Sequence, residues 1–190
     1  MEGPSAENVA ITTDKVAQYG GGLAVVFHNY ALSAERIPRG FEGAVNVLDA
    51  TVATLKQLLG LLDRAAGTNS QDSKKLFSHE GLTYVQLLAT ECAATLAKVE
   101  PIVADACLNR MELRAKRKLE KKAVTKNGKP KVDIASLKLD QRVFLDTVEN
   151  AKWSWATKDL EKCMDRLYDL QLHLLLVFQV VTVGSLSRDM

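Results

Sequence analysis

The sequence predicts an all-α fold: an antiparallel bundle of four to five long helices forming a single domain over residues 1–190. Three observations predict it. Apolar residues recur in steps of three and four along most of the chain, the period of a helix rather than the alternation of a strand. Punctuation is sparse, with four prolines and eleven glycines in 190 residues. Aromatic residues make up 6% while Leu, Ala, Lys and Val abound, a bias towards helix. At 47% hydrophobic and 25% charged, the composition is that of an ordinary globular domain, which argues against wholesale disorder and against a disulfide scaffold.

The first element is ambiguous. "DKVAQYGGGLAVVFHNYAL" has helical periodicity on both sides of Gly20, Gly21 and Gly22, and each interior glycine costs a helix about 0.5–1 kcal/mol relative to alanine. Either the chain breaks there, or a neighbouring helix packs too close for any side chain. The second element is clearer, because Phe41, Val45, Leu48, Val52, Leu55, Leu59 and Leu62 form one seam over three heptads. Pro38 suits the first turn and Gly67 the stop, followed by a polar loop "GTNSQDSKK". A second seam, Val85, Leu88, Cys92, Leu96, Val99, Val103 and Ala106, starts a helix near Leu82. Pro101 lies inside it, which predicts a kink or two helices meeting end to end.

The pattern then fades into "RAKRKLEKKAVTKNGKPK", whose Asn127-Gly128 and Lys129-Pro130 predict a flexible basic loop over residues 124–135. The last third opens on Phe144, Val148, Ala151 and Trp155 and continues along Leu160, Cys163, Leu167, Leu170, Leu174, Val177 and Val181. The step of five between Trp155 and Leu160 predicts one long helix or a bend near Thr157. Trp155 sits on the seam and Trp153 about 200° away from it, so Trp155 is expected inside and Trp153 against another helix or the surface. The run "LHLLLVFQVVTVGSL", residues 172–186, is too short and too interrupted for the roughly twenty apolar residues of a membrane span. Leu172, Leu175, Leu176, Phe178 and Val180 widen its apolar face, so it is expected to be buried on most sides in the bundle.

Chemistry-bearing motifs are scarce. The glycine triplet has neither of the phosphate-loop spacings and no strand before it. His28, His79 and His173 are isolated, and His173 is about 15 Å along a helix from Cys163, so no metal or other cofactor is expected. Cys92, Cys107 and Cys163 form no C-x-x-C pair and lie on or near apolar seams, where they act as small hydrophobes with free thiols. No catalytic constellation emerges, and a non-enzymatic domain is expected. The opening "MEGPSAENVAITTDK" is no secretory signal, which predicts a cytoplasmic chain.

Charge is distributed unevenly. From Arg110 to Lys131 ten Lys or Arg stand against Glu112 and Glu120, a local +8 in a chain of net +2, leaving −6 elsewhere. Arg114, Lys116, Arg117, Lys118, Lys121 and Lys122 are the candidate anionic-partner patch. It is read as a solvated face, as an attachment to an anionic membrane surface, or as a nuclear import signal. Nucleic acid fits worst, since no aromatic is interleaved to stack a base. The seam from Leu160 to Val181 is the candidate core or interface, for self-association or a protein partner.

One resemblance adds to this reading. "FLDTVENAKWSWATKDLEKCMDRLYDLQLHLLLVFQVVTVGSLSRD" is similar to the end of the HeLo-like N-terminal helical domains of fungal proteins, which include fungal STAND (NLR-like) receptors. The matching residues are Ala151, Lys152, Trp153, Leu167, Leu170, Leu172 and Leu174. The earlier "ERIPRGFEGAVNVLDATVATLKQLLGLL" and "LATECAATLAKVEPIV" are similar in helix order. The resemblance implies a helical bundle at the head of a larger fungal protein, serving as a signalling or scaffold module, in self-association or, in some members, in membrane-directed cell death. It departs from death-executing members, whose first helix is apolar, because residues 16–32 hold three glycines with Gln18, His28 and Asn29. The resemblance supplies no catalytic residue.

Overall fold

A computed structural model describes residues 4–38, 40–67, 76–108, 111–112, 114–116 and 132–186. All long elements among them are helices: α1 (Ala6–Ser33), α2 (Phe41–Gly67), α3 (His79–Leu96), α4 (Val99–Cys107), α5 (Gln141–Asn150) and α6 (Trp153–Leu186), with a 3₁₀ turn at Ile134–Ser136. The all-α bundle expected from the periodicity is present. α1, α2, the α3–α4 pair and α6 are its four long staves.

Contacts give their directions. Phe27 near the end of α1 meets Phe41 at the start of α2, at 4.9 Å between ring centroids, so the two run antiparallel. The α3 residue Glu91 bonds Arg166 of α6, while residues 76–81 lie beside residues 176–184, so these two are antiparallel as well. Residues 41–47 of α2 lie along residues 153–168 of α6, giving those two a common direction. The result is an up-down-up-down arrangement. Its core is aliphatic, with Leu48, Leu55, Leu62, Leu96, Leu167 and Leu174 all fully buried. Each such side chain contributes about 1.5–3 kcal/mol against the entropy of ordering the chain.

α1 runs unbroken through its glycines. A Cβ on Gly20 would lie 3.0 Å from Val52 Cγ2 and 3.3 Å from Leu96 Cδ1, and one on Gly22 would lie 3.0 Å from Leu139 Cδ2. The triplet is thus a place of close approach, on one side to α2 and α3 and on the other to the segment before α5. α2 begins after Pro38 rather than on it: Gly40 takes a left-handed φ of 82° and Phe41 N–H donates to Pro38 O at 3.1 Å. α3 starts at His79, three residues before the Leu82 expected, because the Ser78 hydroxyl accepts from Gly81 N–H at 3.0 Å and caps it.

The Pro101 break is of the end-to-end kind. α3 stops at Leu96 and α4 restarts at Val99, which places Pro101 in a first turn where its missing N–H would have had no partner. The seam from Val85 to Ala106 stays buried across the break.

The bend expected near Thr157 is instead a break at Ala151 and Lys152, with Lys152 N–H donating to Ala106 O at 3.1 Å. That break resets the helical phase: Trp155, expected inside, is turned outward, while Trp153 lies against other helices, as expected. Trp155 is 42% exposed, with the Lys152 ammonium 4.9 Å from its ring centroid. Trp153 packs on Phe41 at 5.0 Å and Tyr30 at 5.5 Å, closing an aromatic cluster with Phe27 and Phe144. Its Nε1 is buried without a hydrogen-bond acceptor. Of the basic loop expected at residues 124–135, residues 124–131 lie outside the described residues. Its end is ordered, with Asp133 capping the 3₁₀ turn and Ile134 packed against the core.

Candidate functional site

The seam residues Leu160, Cys163, Leu167, Leu170 and Leu174 are buried, whereas Val177 and Val181 are only half-buried. Among the described residues the helix has neighbours on one side only beyond Leu174, because a four-stave bundle gives each helix two or three partners and leaves its outer face to solvent. The expectation that residues 172–186 are buried on most sides is therefore wrong. Leu172, Leu176, Val180 and Val183 are 48–65% exposed.

These four follow one another in steps of four, four and three, so they form a stripe along one side of α6. The same side carries Lys158, Glu161, Lys162, Asp165 and Asp169 in the first half of the helix. Its character thus changes within one turn, from charged up to Asp169 to uncharged and mostly aliphatic from Leu172, with the exposed Gln179 among the aliphatic side chains. Beside the stripe lies a groove of about 370 Å³, between Leu176, Val180 and Gly184 on one wall and Leu76, Phe77 and Gly81 on the other. The spacing of the stripe was visible in the sequence. What was not visible is which side of the helix the bundle would leave uncovered.

The candidate basic patch is only partly described. Arg114 is exposed on a helical turn, and Lys116 Nζ lies 2.6 Å from Asp105 Oδ1 of α4, so this cation holds the segment to the bundle. Arg117, Lys118, Lys121 and Lys122 lie outside the described residues. The structure brings no part of this patch to the α6 stripe among the described residues.

All three cysteines are free. Burial pushes the Cys92 thiol up to about 12 and raises those of Cys163 and Cys107, so none is held as a reactive thiolate. Among the described residues, no three His, Cys, Asp or Glu side chains gather where they could hold a metal. His28 Nε2 pairs with Asp49 Oδ2 at 2.7 Å, joining α1 to α2 on the surface.

Among the described residues two helices are by length and composition apolar enough to cross a membrane: α2, half of whose most apolar 18-residue window is buried, and residues Trp153–Ser185 of α6, where only 17% is. His173, Gln179 and Thr182 interrupt the run, as the sequence indicated, yet they do not bring its average below that of a span. The chain matches no protein-family model, no curated protein and no solved structure.

Proposed function

We propose that the chain is a non-enzymatic helical interaction domain that self-associates through the outer face of the last third of α6. The observation that carries this reading is the change of that face at Asp169 and Leu172. Four large aliphatic side chains lie exposed in helical register on one side of α6, and apolar side chains gathered in one patch mark an interaction surface where singly scattered ones do not. Steps of four, four and three are also the spacing with which one helix packs on another. The similarity to HeLo-like domains supports a cytoplasmic signalling or scaffold role for such a module.

Light scattering across a concentration series tests it. The wild type is expected to show a mass that rises with concentration and persists at high salt, since apolar contacts are not screened. Leu176→Glu with Val180→Glu is expected to stay monomeric with an unchanged helical spectrum, because surface substitutions cost folding about 0.5 kcal/mol or less. A wild type that stays monomeric throughout defeats the proposal.

The low burial and high hydropathy of α6 favour one second reading, a peripheral membrane module in which the basic segment holds anionic lipid and the stripe enters the surface. Its signature differs. Wild-type protein should then bind anionic vesicles at low salt and release them at high salt. Replacing Lys116, Arg117, Lys118, Lys121 and Lys122 by Gln should lose about 1 kcal/mol of binding per residue near the surface.

A further inference from the structure

A second cleft lies at the opposite end of α6, away from the stripe. It has a volume of about 250 Å³ and runs between the first two turns of α2 and the first four of α6. Its walls are apolar: Phe41, Ala44 and Val47 on α2, and Trp153, Leu160 and Met164 on α6. The cleft exists because α2 contributes small residues. Gly40 is required by its φ of 82°, but Gly43 is not, and a Cβ there would meet nothing within 4 Å. A side chain at Gly43 would favour the helix, yet the position is left empty over the cleft.

Among the described residues that line it, the mouth is charged with one sign. Glu161 and Asp165, exposed and four residues apart on α6, both border the opening, and the half-exposed ring of Tyr168 stands one turn further on. Among the described residues neither carboxylate has a cation within 4.0 Å, and the neighbouring Lys162 is engaged with Asp159 at 2.9 Å. Like charges at this helical spacing repel one another, a cost that a bound cation would relieve. An apolar interior under an aromatic and carboxylate mouth matches a small molecule with an apolar body and a cationic head.

We infer that this cleft binds an amphiphilic organic cation, with an alkyl or aryl body against Trp153 and Met164 and an ammonium between Glu161 and Asp165. The inference is independent of self-association at the far end of the helix. Because Trp153 lines the cleft, its emission reports occupancy once Trp155 is replaced by Phe. Octyltrimethylammonium, kept below micelle formation, is expected to give a saturable change in that emission, while octanoate of the same chain length gives none. Glu161→Gln with Asp165→Asn should weaken the cation at least tenfold, and Gly43→Leu should abolish its binding without lowering the thermal midpoint. Equal binding of octanoate, absence of saturation with the cation, or indifference to both variants would overturn the inference.

Discussion

Gly20 and Gly21 are adjacent in α1 and chemically identical, yet they should respond in opposite ways to the same methyl group. At Gly20 the new Cβ meets Val52 at 3.0 Å and Leu96 at 3.3 Å. Val52 is β-branched and has little rotamer freedom, and Leu96 is fully buried, so neither can yield. Gly20→Ala should therefore destabilise by about 1–3 kcal/mol of overpacking, partly offset by its better helix propensity. At Gly21 the nearest atom is 3.9 Å away, and Gly21→Ala should stabilise by about 0.5–1 kcal/mol. Urea unfolding of the two variants decides it. Tyr19, one residue before the triplet, carries a second prediction. Burial, then its hydrogen bond to Glu100 and that carboxylate's charge, hold the phenol well above its usual value of 10.0. An unfolded chain ionises this phenol near pH 10 while the folded one keeps it neutral. Its contribution is thus complete below that pH and is lost as pH rises beyond it. From about pH 9 to about pH 11 the wild type should lose stability faster than Tyr19→Phe, by at most about 1.4 kcal/mol per pH unit. Parallel melting curves for the two proteins would contradict this.

At the scale of the element, the two tryptophans show what a periodic pattern can and cannot carry. The steps through Phe144, Val148, Ala151 and Trp155 read as one helix, and on that phase Trp155 belongs inside. The chain instead leaves the helix at Ala151 and Lys152, and each segment keeps a good period of its own, so no residue in the pattern marks the junction. Trp153 then falls on the aromatic cluster of Phe27, Tyr30 and Phe41. Quenching of single-tryptophan variants should follow: iodide should reach Trp155 and leave Trp153 protected, and equal quenching would mean that the break is absent. Where a seam is continuous and its neighbours lie on one side, as from Val85 to Ala106, its buried face could be read directly from the sequence. The face of α6 beyond Leu174 could not, because apolar spacing is the same whether a partner helix belongs to this chain or not. The polar groups of the cleft were equally hidden. Glu161 and Asp165 lie in a mixed charge run that reads as a solvated face, and only the small residues of α2 reveal the hollow beside it.

For the molecule as a whole, the organising fact is that four staves share one core while the excursion between α4 and α6 begins and ends at neighbouring points. The exit and the return are adjacent, since Lys152 N–H donates to Ala106 O and the Cys107 thiol donates to Thr147 O at 3.2 Å. Three of the four staves precede this excursion, and α6, the fourth, follows it and buries Leu160, Leu167, Leu170 and Leu174 among them. The burial of α6 among the other staves therefore holds the two parts together. Brief trypsin treatment, directed to the basic run, should leave two polypeptides that elute as one particle and separate only in denaturant, and their separation on native gel filtration would refute this. If they remain joined, the domain is divisible: α5 and α6, supplied as a chain of their own, should complement a chain ending after α4 and restore a complete bundle from two halves.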